Sequence, residues 1–102
     1  MRNIIFAGAI LSGYTNLAGA AEKGIASFYN NPHYRGLIAA HKTLPFGTQV
    51  KIVNLDNGRS VVVKIVDRGP FIRGRIIDVS PTAAVVLGFH EAGTAHVQVE
   101  KL

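Results

Sequence analysis

The 102 residues have room for one domain, and the absence of cysteine excludes a disulfide-stapled scaffold. Eleven Lys and Arg against six Asp and Glu give a formal net charge of +5. The basic residues are scattered and no nucleic-acid motif accompanies them, so nucleic acid is not an expected partner. The excess suits an anionic polymer of the cell envelope, or solubility alone.

Residues 1–20 read as a secretory signal. Arg2 supplies a positive start, Ile4 to Leu11 a short apolar core, and Ala18-Gly19-Ala20 a small-residue cleavage site. The apolar run is short for a transmembrane helix, and a retained anchor is the alternative reading. Cleavage after Ala20 leaves residues 21–102, with ten basic against six acidic side chains and no cysteine to carry a lipid. The expectation is a secreted or periplasmic monomer without a stable membrane anchor. A domain this small, without disulfides, must draw its stability from a well-closed core.

Gly24 to Tyr29 reads as a first short strand, broken by Asn30-Asn31-Pro32, and His33 to Gly36 continue as loop. Leu37 to Lys42 is small and apolar and contains His41. Thr43 to Thr48 is a turn with Leu44 and Phe46 as apolar anchors, and Phe46 is expected in the core. Gln49 to Asn54 is a strand with Val50 and Ile52 on one face. Asn57-Gly58 then signals a hairpin, and Ser60 to Val66 returns with Lys64 on an open face.

Asp67 stands where that strand ends, because Gly69-Pro70 cannot continue it. A side chain at a strand end can reach a cleft while its backbone stays fixed. Arg75 to Val79 is the next strand. Ser80 and Pro81 are the N-cap and first residue of a two-turn helix that Gly88 stops. Thr94 to Lys101 alternates apolar Ala95, Val97 and Val99 with polar neighbours, as a half-buried strand does. Five or six short strands and one small helix point to a small closed barrel, which leaves no exposed edge.

These motifs resemble the rare lipoprotein A family of double-psi β-barrels. The matching stretches are Gly24 to Tyr29, Ala39 to Thr48 (AAHKTLPFGT), Val53 to Ser60, Asp67 to Phe71 (DRGPF) and Gly74 to Ser80. They span nearly all of residues 21–102 in the family's order. The resemblance implies an all-β, six-stranded double-psi barrel with one short helix. It also implies peptidoglycan glycan strands as partner and, in active members, non-hydrolytic lytic transglycosylase cleavage of the MurNAc–GlcNAc bond. Fold alone does not carry function, so the site is read separately.

The resemblance makes Asp67 and His41 the catalytic candidates, Asp67 as acid/base and His41 positioning or stabilising charge. The family's glutamate, upstream of its histidine, has no match: no Glu or Asp lies between Lys23 and Leu55. Asp78 and Glu91 are the carboxylates considered as replacements. Arg68 and Arg73 are candidate ligands for glycan carboxylates or N-acetyl carbonyls. Tyr29 and Phe71 are candidates to stack on sugars, and Asp78 completes the binding set.

Structural readings stand beside these. Asp67 can cap its own turn, His41 can be a hydrogen-bonded structural residue, Asp78 can pair with Arg75, and Phe71 can plug the barrel. His33, His90 and His96 show no metal-ligand spacing, so neither a metal nor a cofactor is expected. Two other readings of the whole chain are a non-catalytic glycan-binding barrel and an expansin-like wall-loosening protein.

Overall fold

The computed structural model describes residues 21–102, so the signal expected at residues 1–20 lies outside the described residues. The elements in chain order are β1 (Ala21–Phe28), β2 (Ile38–Ala40), β3 (Gln49–Asn54), β4 (Ser60–Asp67), β5 (Arg75–Val79), α1 (Pro81–Leu87) and β6 (Thr94–Lys101). The six strands close into a barrel in the order β1-β5-β2-β4-β3-β6. Two neighbouring pairs, β1 with β5 and β2 with β4, run parallel. The other four pairs are antiparallel. The all-β barrel with one short helix matches the fold expected from the sequence.

Alternation along the strands builds the core. Val50 and Ile52 of β3, Val61, Val63 and Ile65 of β4, and Val97 and Val99 of β6 are buried, while Lys51, Val62, Lys64 and His96 between them are exposed. Period-two side chains leave one face for the interior, and each buried Val or Ile contributes roughly 1.5–3 kcal/mol. Helix α1 adds Ala83, Ala84 and Leu87 to the same cluster. Ser80 caps it by accepting from the Ala83 amide, and Gly88 ends it at a φ of 81°. Gly24 has a different reason to be glycine: a Cβ there would meet Ile76 Cγ2 at 2.6 Å.

The strand directions sort the connections between the two rims. One rim carries the starts of β1, β3 and β5 and the ends of β2, β4 and β6, hence the connections 41–48 and 68–74. The other carries the 29–37 loop, the 55–59 turn and α1.

Three expectations change. Strand β1 starts at Ala21, three residues before the expected Gly24, because Ala21, Glu22 and Lys23 pair with Glu100, Val99 and Gln98 of β6. Residues 38–40 form a strand wedged between β4 and β5, although three residues are too few to show a period. Phe46 is not core. It is 60 % exposed and lies against the Arg68 guanidinium, 4.2 Å from ring centroid to Cζ, while Leu44 alone packs on the core from that turn.

Candidate functional site

A row of residues crosses four neighbouring strands. Ser27 of β1 is in register with Asp78 of β5, Asp78 with Ala40 of β2, and Ala40 with Asp67 of β4. Adjacent strands lie about 4.8 Å apart, so this register brings the carboxylates of two consecutive strands to either side of one small residue. Ile77 and Val79 beside Asp78 are fully buried, whereas Asp78 is only half-buried, which places it on the outer face of the barrel wall. The Ser27 hydroxyl donates to Asp78 Oδ1.

Tyr29 ties the row together. Its backbone amide is held by the Val79 carbonyl at the end of β5 (3.0 Å), and its hydroxyl donates to Asp67 Oδ2 at the end of β4 (3.1 Å). Strand β2 lies between those two strands, so the Tyr29 side chain spans it. Burial pushes the Tyr29 phenol well above its ordinary value near 10. The negative charge of Asp67, the hydrogen bond to it and the charge of Asp78 push the same way. Tyr29 therefore remains a neutral donor beside Asp67 across the working pH range.

Asp67 divides its carboxylate. Oδ2 takes the Tyr29 hydroxyl, and Oδ1 accepts the backbone N–H of Arg68 at 2.8 Å. The turn-capping expected as an alternative is thus present alongside the contact to Tyr29. Arg68 does not aim at Asp67: its Nη1 donates to the carbonyls of His41 (3.2 Å) and Leu44 (2.8 Å), and its guanidinium lies on Phe46. Asp78 takes Ser27 as its partner rather than Arg75.

His41 shares a backbone bond with Asp67, His41 N–H to Asp67 O at 3.1 Å, but its ring has other partners. Nδ1 accepts the amides of Thr43 and Leu44, each at 3.1 Å. An acceptor at Nδ1 fixes the hydrogen on Nε2, which donates to Glu22 Oε1 at 2.9 Å. Ring and carboxylate line a cleft of about 550 Å³ at the rim, together with Thr43, Leu44, Val99 and Lys101. Asp67 and Asp78 do not line that cleft.

The structure brings Tyr29, Asp67 and Asp78 together and gives His41 and Arg68 to the adjoining turn. Phe71 is 79 % exposed, so it does not plug the barrel, and Arg73 is exposed on the same connection. Glu91, weighed as a replacement carboxylate, lines a separate shallow cleft with Val85, Gly88 and His90. Glu22 was not foreseen as a partner of His41. It precedes the apolar part of β1, and only the long β1–β6 ladder fixes where it stands. Ser27 and Ala40 were also missed as members of the row, since register between distant strands has no local sequence signal. Among the described residues no cluster of three or more His, Cys, Asp or Glu is placed to hold a metal ion.

Comparison with known proteins shows the family and the fold. A family model described as lytic transglycolase matches residues 21–99. The endolytic peptidoglycan transglycosylase RlpA of Pseudomonas aeruginosa is 57% identical over 65 residues, covering 64% of this chain and 19% of that protein. The Vibrio cholerae protein of the same name is 45% identical over 97 residues, covering 83% of this chain and 37% of that protein. The chain thus spans well under half the length of these relatives. Among solved structures, a Clavibacter michiganensis expansin in complex with cellohexaose superposes with a TM-score of 0.67, over 80% of this chain and 50% of that one. Its sequence identity of 16% makes this a likeness of fold alone. The chain belongs to the lytic transglycolase family of double-psi β-barrel domains.

Proposed function

We propose that the protein acts on peptidoglycan glycan strands outside the cytoplasm and cleaves the MurNAc–GlcNAc bond without water, with Asp67 as acid/base. The observation that carries this reading is the row Ser27–Asp78–Ala40–Asp67 with the Tyr29 hydroxyl on Asp67. Its two carboxylates are half-buried, with Ser27 and Ala40 buried beside them, and the relatives are named for this activity. Asp67 in its acid form protonates the leaving glycosidic oxygen as the C1–O bond breaks. The sugar's own C6 hydroxyl then attacks the anomeric carbon and returns its proton to the Asp67 carboxylate, closing an anhydro ring. Tyr29 holds Oδ2 in place throughout. Asp78, the second carboxylate of the row, lies where negative charge stabilises the oxocarbenium-like transition state. Phe71 and Arg73, exposed on the connection after Asp67, contact the strand beyond the cleavage point.

A second reading is a glycan-binding barrel without lysis. It is favoured by the absent family glutamate and by the turn contact that occupies one Asp67 oxygen. Digestion of purified glycan strands, read by mass spectrometry beside an Asp67→Asn control, separates the two. Anhydro-ended fragments from the wild type alone support lysis at Asp67. Co-sedimentation with glycan and no fragments makes the protein a binding barrel.

A further inference from the structure

The Glu22–His41 pair has no part in the chemistry above, yet its bonds lead back to Asp67. Thr43 and Leu44 point both amides at Nδ1 of His41, so the ring is held in one tautomer with its hydrogen on Nε2. That hydrogen needs an acceptor, because the His41 side chain is only 7% exposed, and Glu22 Oε1 supplies one at 2.9 Å. The Glu22 side chain is 51% exposed and reaches in from β1, an element otherwise separated from the 41–44 turn by β5. Lys101 of β6 is the other charged side chain lining the same cleft.

From His41 the bonds close a ring around Asp67. The His41 amide donates to the Asp67 carbonyl, and the His41 and Leu44 carbonyls hold the Arg68 guanidinium. The Arg68 amide in turn donates to Asp67 Oδ1. If Glu22 is removed, Nε2–H loses its partner. Moving the hydrogen to Nδ1 does not relieve this, because two amide donors face that nitrogen. The ring must then rotate or admit water, and the turn that grips Arg68 loosens with it.

We propose that Glu22 is a positioning residue for Asp67, acting through the His41 imidazole and the Arg68 clamp. The assignment rests on the reading of Asp67 as the acid, so the experiment has one arm that needs no lysis. In that arm, ¹⁵N and ¹³C NMR of the wild type should show His41 as the Nε2–H tautomer. Glu22→Ala should shift the His41 ring nitrogens, the Thr43 and Leu44 amides, and both the Arg68 amide and the Asp67 carboxyl carbon. In the second arm, release of anhydro fragments from purified glycan strands should fall about tenfold or more in kcat with KM little changed, as expected when a reacting group is misplaced by a fraction of an ångström.

Glu22→Gln keeps an acceptor for Nε2–H and should restore most of what Glu22→Ala loses, in both arms. Glu22→Asp, one methylene shorter, should move the same signals in the same direction and serves if Glu22→Ala does not fold. Unchanged Arg68 and Asp67 signals in Glu22→Ala overturn the proposal, as does a loss of lysis that Glu22→Gln does not rescue. A wild type that releases no fragments overturns the functional reading alone, and the NMR arm then decides whether Glu22 positions Asp67.

Discussion

Two connections leave consecutive strands, residues 55–59 after β3 and 68–74 after β4, and they put their polar groups to opposite uses. In the first, the side-chain amides of Asn54 and Asn57 both donate to the Leu87 carbonyl at 2.9 Å, which ties the turn to the end of α1. Their carbonyl oxygens accept the amides of Asp56 and Arg59. The two Asn side chains are thus taken up in holding the fold, although residues 55–59 are themselves exposed. In the second, Asp67 and Arg68 set the entrance, after which Phe71 and Ile72 are 79 % and 57 % exposed and Arg73 is exposed beside them. The 55–59 turn holds out one nonpolar side chain, Leu55, whereas the 68–74 connection holds out two adjacent ones, and adjacent exposed nonpolar side chains are what a ligand-facing connection presents.

Substitutions test that contrast by separating stability from activity. The largest effect is expected at Asp67. Asp67→Asn should lower lysis about 10²–10⁴-fold, the usual contribution of an acid/base group, while the thermal midpoint stays near that of the wild type. Unfolding of this variant would show that the turn contact through Oδ1 dominates instead. Burial, helped by the charge of this carboxylate and its hydrogen bond, holds the Tyr29 phenol up, so the folded protein keeps a proton that the unfolded chain loses above the ordinary phenol range. That contribution to stability is complete below pH 10 and disappears as pH rises towards the folded value. An ultraviolet titration, with Tyr29→Phe as the blank, should place the Tyr29 step above the ordinary range in the wild type and lower it in Asp67→Asn.

Next comes the absorbed turn. Asn54 is 2 % exposed, and Asn54→Ala should cost about 1–3 kcal/mol in denaturant unfolding with no specific effect on glycan binding. A loss of binding beyond what instability explains would mean that the 55–59 turn is more than structural. Phe46→Ala should cost less than about 1 kcal/mol, because an exposed ring leaves no buried cavity behind. A loss of ~3–5 kcal/mol would return Phe46 to the core. The smallest stability effect is expected for Phe71→Ala, within about 0.5 kcal/mol, accompanied by weaker sedimentation with glycan strands. Unchanged sedimentation would remove Phe71 from the binding surface.

Local chemistry was legible wherever one segment carried its own signal. Strands β3, β5 and β6 were read with their observed bounds, since alternation and flanking turn residues are properties of a short window. Helix α1 was legible for a similar reason: Ser80, Pro81 and Gly88 each act within a few residues of themselves. The DRGPF segment directed attention to Asp67 at a strand end, and Asp67 stands there. Phe46 was misread because an aromatic in a turn looks like an anchor whether it faces the core or an arginine. Glu22 was passed over because a polar residue before an apolar strand has no distinguishing pattern.

The sequence by itself therefore determined five of the six strands, the caps, the family and the end of β4 as the place to look. Only the tertiary structure decided which side chains meet. Ser27, Asp78, Ala40 and Asp67 become one row through the registers of three strand pairs, and Glu22 reaches His41 through the length of the β1–β6 ladder. Register depends on how whole strands fit around a closed barrel, and a slip of one residue would turn Asp78 to the other face. No short stretch of chain contains that information.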